Sequence, residues 1–138
     1  MSDCLFCKIA AGELDSEIVF DDADCLAFLD NRPLFPGHVL LIPKRHCETL
    51  VDLPEELVAP LFLNARVLAR AVEKALACDG TFVAINNRVS QTVPHLHVHI
   101  VPRRKKDGLK GFFWPRKPYE GDDDAKHVAR AIREAITS

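Results

Sequence analysis

The sequence predicts an α+β fold, with a five-stranded antiparallel sheet, one long helix and short flanking helices. Five short apolar segments bounded by turn-forming residues are typical of strands. One long segment carries apolar residues at three- and four-residue steps, which is typical of a helix with one buried face. Most connections are short, which favours antiparallel neighbours. With 138 residues, 48% of them hydrophobic, the chain is predicted to form a single domain over residues 1–138.

The first half of the chain supplies three of the strands. Strands are predicted at residues 17–20 and 25–29, which are joined by a polar turn at residues 21–24. A short helix before them is expected to end at Gly12. A loop containing two prolines and a glycine leads to the third strand, residues 38–43.

The long helix is predicted to begin at Asp52-Leu53-Pro54-Glu55, with Asp52 as its cap. Its apolar residues recur along one face: Leu57, Leu61, Ala65, Leu68, Val72 and Leu76. Pro60 interrupts this pattern and predicts a bend or a later start. Asp79-Gly80 is expected to end the helix, and a fourth strand is predicted at residues 81–85.

Residues 103–119 are basic and carry four aromatic side chains. The stretch fits a flap over a phosphate-containing ligand or a solvated loop. Contact with single-stranded nucleic acid is a weaker alternative, because the run is short and Asp122-Asp123-Asp124 follows it. The chain ends in a predicted capped amphipathic helix over residues 122–136.

Residues 94–102 alternate histidine with aliphatic residues and predict the fifth strand. Successive side chains of a strand point to opposite faces, so His95, His97 and His99 are expected on one face. Two explanations compete for such a row, a metal site and phosphorus chemistry. One ion can take two of the rings, which leaves at least one free as a nucleophile or proton carrier.

Cys4 and Cys7 have a spacing that lets two sulfurs bind one metal ion. A redox pair is a second reading, although no strand precedes Cys4 as such motifs require. Two unconnected thiols are the third. Five cysteines in a chain without a recognisable signal peptide favour thiols or metal ligands over disulfides, which predicts a cytoplasmic protein.

Other partner classes find little support in the sequence. A formal net charge of −2 gives no reason to expect nucleic acid or an anionic membrane as partner. No segment approaches the roughly 20 apolar residues of a membrane span.

Four segments resemble one known family, the histidine triad (HIT) nucleotidyl hydrolases and transferases, in its zinc-carrying branch. They are His95–Val101, Cys4–Ile9, Pro36–His46 and Gln91–Pro94. The resemblance covers nearly the whole chain in order. It implies a nucleotide-binding hydrolase that acts through a nucleotidyl-histidine intermediate and releases a nucleoside monophosphate. It also implies a homodimer and a purine nucleotide, with adenine as the expected base.

The resemblance assigns four metal ligands, Cys4, Cys7, His46 and His95, to one structural zinc ion. Cys47 is left out because it points away from His46 in an extended chain. With His95 taken by the metal, His97 and His99 remain free.

For catalysis, the resemblance implies that His97 is the nucleophile and that His99 contacts phosphate and assists the leaving group. A histidine at position 99, where transferases of the superfamily have glutamine, favours hydrolysis. Eight positions are assigned to substrate: Asp30 to ribose, Asn86, Gln91 and Thr92 to phosphate or its loop, and Phe6, Ile9, Phe28 and Leu29 to the nucleoside pocket.

Two rival functions stay open. The chain could be a nucleotide-binding regulatory or scaffold protein with little turnover. Alternatively, all of the cysteines and histidines could form a site for several metal ions, in which case His97 would lose its role as nucleophile.

Overall fold

A computed structural model describes residues 3–109 and 116–136. The chain divides into two compact units, residues 1–107 and residues 108–138. No helix among the described residues has both the length and the apolar character needed to cross a bilayer. The single domain expected over residues 1–138 stays a prediction.

The first unit contains all five strands found in residues 3–109 and 116–136. Its elements are α1 (Leu5–Ala10), β1 (Ile18–Asp21), β2 (Cys25–Leu29), β3 (Val39–Pro43), a short 3₁₀ helix (Leu50–Asp52), α2 (Glu55–Leu76), β4 (Gly80–Ala84) and β5 (Val98–Arg103). The second unit contains α3 (Asp122–Ile136), whose bounds agree with the prediction. Residues 110–115 of the basic aromatic stretch lie outside the described residues.

The sheet has the order β1-β2-β3-β5-β4, and every neighbouring pair is antiparallel. The predicted α+β fold is therefore confirmed. The chain leaves the sheet after β3, runs through α2 and returns at the β4 edge, so β5 fills the place between β3 and β4. In this register His99 lies opposite Leu40 on one side and Ala84 on the other.

The two faces of the sheet are covered differently. On one face α2 packs through five buried side chains, and Leu96, Val98 and Ile100 meet them in the main core. On the other face Phe6 of α1 packs in a smaller cluster with buried residues of β2 and β3. His99 alternates with Val98 and Ile100 on β5 and therefore lies on the α1 side. The Phe6 ring of α1 also contacts the rings of His95 and His97.

Two details of the predicted long helix are wrong. Asp52 does not cap it: the Asp52 carboxylate accepts hydrogen bonds from the Thr49 N–H at 3.1 Å and the Thr49 hydroxyl at 2.7 Å, which fixes the 3₁₀ helix instead. The late start is also wrong, because the helix begins at Glu55 and includes Pro60. The alternative, a bend at Pro60, stays a prediction. Packing of Leu57 and Leu61 against the sheet favours helix on both sides of the proline.

The helix ends earlier than predicted. Ala77 adopts a left-handed conformation with φ +48°, and the chain is already extended at Gly80, the first residue of β4.

The predicted strand 94–102 begins only at Val98, so His95 and His97 lie in the irregular segment that enters it. Bonds from the Leu96 N–H to Cys47 O and from the His95 N–H to Val93 O replace the strand ladder there.

Candidate functional site: a histidine cleft beside a cysteine–histidine cluster

Four predicted metal ligands lie together at the end of the sheet. The His95 Nδ1 atom is 3.3 Å from the Cys4 sulfur, 3.5 Å from the Cys7 sulfur and 3.2 Å from the His46 Nδ1 atom. The Cys7 sulfur is 3.4 Å from His46 Nδ1. All four donor atoms lie within 4.8 Å of one another.

This donor set fits a tetrahedral zinc ion. With Zn–S bonds of about 2.3 Å and Zn–N bonds of about 2.0–2.1 Å, neighbouring ligand atoms are about 3.3–3.8 Å apart. The separations in the cluster fall at the short end of that range. Two thiols and two imidazoles are the ligands of closed, structural zinc sites.

Hydrogen bonds prepare these ligands for a cation. The His95 Nε2 atom donates to the Pro43 carbonyl at 2.8 Å, since a carbonyl can only accept, and its Nδ1 lone pair therefore faces the cluster. The Cys4 sulfur accepts from the Cys7 N–H at 3.4 Å. Burial, and then the proximity of Cys4, raises the pKa of the Cys7 thiol to about 11, so Cys7 is protonated at neutral pH unless a cation is bound.

A cleft of about 710 Å³ lies next to this cluster on the α1 face of the sheet. His97 and His99 form part of its wall. Six of the eight residues assigned to substrate also line it: Phe6, Ile9, Phe28, Leu29, Asp30 and Thr92. Arg32 lines it as well, although nothing in the sequence pointed to this position. It adds a cation to a wall that holds two carboxylates, Asp15 and Asp30.

Asn86 and Gln91 are not among the residues that line the cleft. The Gln91 amide donates to the Glu48 carbonyl at 2.6 Å and accepts from the Arg88 N–H at 2.8 Å. The first bond fastens the loop between β4 and the histidines to the segment after β3, and the second closes a turn within that loop. Asn86 is exposed in the same loop. Contacts of Asn86 and Gln91 with substrate stay predictions.

The ring of His97 has a defined tautomer. Its Nδ1 atom donates to the His95 carbonyl at 2.7 Å, so the lone pair of the neutral ring is on Nε2. His97 is buried, and that burial lowers its pKa against the opposing effects of the His95 carbonyl and the Asp30 charge. His97 is therefore a neutral imidazole at pH 7, with an unprotonated nitrogen available as a nucleophile.

His38 completes the histidine network, although the sequence analysis gave it no role. The Leu34 N–H donates to His38 Nδ1 at 3.1 Å, so the His38 proton is on Nε2. That Nε2–H donates to His99 Nδ1 at 3.0 Å. His99 therefore carries its own proton on Nε2. Among the described residues, this Nε2 is the one buried side-chain nitrogen or oxygen without a hydrogen-bond partner.

Burial also keeps the remaining rings neutral. It lowers the pKa of His38, and it lowers the pKa of His99 to about 4, with further effects from His97 and His38. The buried Nε2–H of His99 is therefore a neutral donor beside the cleft. Such a group is costly without a partner, and a phosphate oxygen would supply one.

Taken together, the antiparallel sheet and the histidine cleft define an α+β protein of the His-x-His-x-His type. The HIT domain pattern matches residues 11–106. The chain belongs to the HIT family.

Three relatives illustrate the similarity. A crystal structure of a Streptococcus mutans protein has a TM-score of 0.89 and 39% identity, and the match covers 99% of this chain and 87% of that one. Adenylylsulfatase HINT3 of Arabidopsis thaliana is 38% identical over 99% of this chain and 71% of its own length. A Zn-bound histidine triad family protein of Mycobacterium smegmatis has a TM-score of 0.75 and 34% identity, with 99% and 97% covered. Relatives of this chain therefore include a hydrolase and a zinc-binding protein.

Proposed function

We propose that this protein hydrolyses a nucleoside phosphoryl bond and releases a nucleoside monophosphate. The observation that carries the proposal is the tautomer of His97. Its Nδ1 proton is held by a main-chain carbonyl 2.7 Å away, and its other nitrogen is unprotonated in a ring that lines a cleft of nucleotide size. A nucleophile needs this arrangement to attack phosphorus at neutral pH.

The proposed reaction has two displacements at the α-phosphorus. His97 Nε2 forms a bond to phosphorus while the bond to the leaving group breaks and its electron pair departs with that group. The nucleotidyl-imidazolium that results keeps its proton on Nδ1, which continues to donate to the His95 carbonyl. Water then attacks phosphorus, the P–N bond electrons return to His97, and the proton of the water passes to solvent.

His99 supports both displacements through its Nε2–H. This donor, oriented by His38, would bond a phosphoryl or leaving-group oxygen as negative charge accumulates there. Arg32 adds a positive charge to the cleft wall, which also favours an anionic substrate. The Thr92 hydroxyl, which also lines the cleft, is assigned to phosphate, together with Asn86 and Gln91 of the adjoining loop.

The remaining cleft residues are assigned to the nucleoside. Phe6, Phe28, Ile9 and Leu29 provide apolar and aromatic surface for a purine, with adenine as the expected base. The Asp30 carboxylate accepts from the Arg32 N–H at 2.9 Å and can accept ribose hydroxyls with its other oxygen. Candidate substrates are dinucleoside polyphosphates, nucleoside phosphoramidates and, from the name of the Arabidopsis relative, an adenylyl sulfate.

Cys4, Cys7, His46 and His95 are proposed to hold one structural zinc ion. The ion would join α1 to the end of the sheet and would take no part in the chemical steps, because four protein ligands leave no open position.

A homodimer and a cytoplasmic location complete the proposal. β4 is an edge strand, and its Val83 is 45% exposed. On α2, which packs against β4, Val58 and Phe62 lie four residues apart and are each 41% exposed. Exposed apolar surface of this kind is a feature that a second copy can cover. The five free cysteines support a reducing compartment.

The test is release of AMP from a panel of adenylyl compounds that differ in their leaving group. We expect wild-type protein to turn over at least one member and His97→Ala to abolish turnover. AMP binding by His97→Ala should stay within about tenfold of wild type, a loss under about 1.4 kcal/mol. Nucleotide binding without turnover of any compound by the wild type would instead favour the regulatory role.

A further inference from the structure

We propose that the cysteine–histidine cluster positions the nucleophile, with the His95 main chain and the Phe6 ring as the two connections. This inference rests on the proposed role of His97. It gives the cluster a function beyond stability, and it makes Phe6 a positioning residue as well as part of the cleft wall.

The first connection is through His95, which belongs to both sites. Its side chain contributes Nδ1 to the cluster, and its other ring nitrogen, Nε2, donates to the Pro43 carbonyl. Its main-chain carbonyl accepts the Nδ1 proton of His97. A displacement of His95 therefore moves the acceptor that selects the tautomer of His97. Because this part of the chain precedes β5, no sheet ladder holds His95 in its place.

The second connection is through Phe6, which lies between Cys4 and Cys7 in α1. Its buried ring meets the His97 ring edge to face, with centroids 5.0 Å apart and planes at 88°. It also contacts the rings of Phe28 at 5.3 Å and His95 at 5.9 Å. Phe6 thus packs against the His97 ring and limits its rotation.

α1 depends on the cluster for its position. A helix of six residues is far below the length of about 12–15 residues at which isolated helices become marginally stable in water. Its N-cap is Cys4 itself, and Cys7 lies in its first turn. A bound cation that joins Cys4 and Cys7 to His46 and His95 would hold both ends of the Phe6 segment against the sheet.

The experiment compares wild type, chelator-treated wild type, Cys7→Ser and Phe6→Leu. Metal content is measured first. The tautomer of His97 is then read from ¹⁵N chemical shifts of the side-chain nitrogens without substrate, and kcat and KM are determined for AMP release. Cys78→Ser is the matched control, because the Cys78 sulfur lies away from the cluster and donates to the Val72 and Gly80 carbonyls.

We expect a single His97 tautomer, protonated at Nδ1, in wild type and in Cys78→Ser. Cys7→Ser and the chelated protein should lose metal and show a mixture of tautomers, and kcat should fall by about 10- to 100-fold, as when an orienting partner is removed. Phe6→Leu should retain the metal yet show the mixture, which tests the second connection even if Cys7→Ser fails to fold.

An unchanged tautomer and unchanged kcat in folded, metal-free protein would overturn the inference. The proposed function can fail separately: if no panel compound is turned over, the tautomer measurement still decides whether the cluster positions His97.

Discussion

His38 shows how one side chain can determine the chemistry of another. It receives the Leu34 N–H on one nitrogen and donates from the other to His99. Without it, His99 would have no fixed tautomer and its Nε2 would not be a reliable donor. The side chain therefore belongs to the machinery without lining the cleft.

Replacing His38 with Phe keeps a buried ring of similar volume and removes the donor. We expect kcat for AMP release to fall on the order of 100-fold, the lower end of what a positioned acid contributes. Binding of AMP should change little, because a phenyl ring at this position would not reach the nucleotide. Steady-state kinetics and calorimetric titration with AMP measure the two effects, and an unchanged kcat would remove His38 from the network.

The buried histidines also predict a pH dependence of stability. The pKa values of His38 and His99 are lowered in the folded protein, that of His99 to about 4, whereas unfolded histidine titrates near 6.5. Between these values the unfolded chain binds more protons, so the free energy of unfolding decreases as the pH falls from about 6.5 to about 4. Above that window these histidines are neutral in both the folded and the unfolded protein, and their contribution to the free energy of unfolding is constant.

Urea unfolding at several pH values measures this slope. His99→Gln should flatten it, since it removes a group that faces His97, His38 and Asp30. The control is His127→Gln, which changes an exposed histidine of α3. An equal slope in wild type and His99→Gln would contradict the assignment.

At the scale of the elements, the approach of the loop before β3 to the end of α2 is tight. Gly37 has φ +101°, and a Cβ there would collide with the Leu76 side chain and touch Pro102. Glycine is thus required twice, for its backbone conformation and for the space. Gly12 shares the first requirement alone, with φ +78° and open space around it.

Gly37→Ala should therefore destabilise the protein more than Gly12→Ala. Left-handed backbone costs a residue with a Cβ about 1–2 kcal/mol. In Gly37→Ala the displacement of Leu76 should add to this backbone cost, since overpacking typically costs about 1–3 kcal/mol. Urea unfolding of the two variants gives the comparison, and equal losses would mean that Leu76 moves aside freely.

At the scale of the whole molecule, the exposed apolar surface of α2 beside β4 predicts a dimer. Phe62→Arg should shift the protein toward a monomer in sedimentation equilibrium. Leu63→Arg is the control, because the next residue of a helix points about 100° away and Leu63 is likewise exposed. Dimers of equal strength in both variants would place the interface elsewhere.

Much of this architecture could be predicted because it depends on local pattern. Apolar segments bounded by turn-forming residues located β1, β2 and β3 within one residue, and the apolar stripe located α2. The ends of the elements were harder to predict. Asp52 and Gly80 are residue types that commonly begin and end a helix, yet Asp52 belongs to a 3₁₀ helix and Gly80 begins β4. Nothing in one sequence shows which of two competing local structures tertiary packing will favour.

The site divides in the same way. Cys4, Cys7, His46 and His95 were found through spacing and family resemblance, and the structure brings them together. His38 and Arg32 were missed, because their roles follow from contacts between segments. His38 lies 61 residues from His99 in the chain, and only the pairing of β3 with β5 makes them neighbours.

The proton arrangement of the histidines has one more consequence. The partners that set it are the Pro43 carbonyl, the His95 carbonyl and the Leu34 N–H, all of them peptide groups. Peptide groups are common to nearly all residues, so a relative could carry different side chains at positions 34 and 43 and still hold its imidazoles in the same state. A search that ranks positions by side-chain identity would overlook two of the groups on which this chemistry depends.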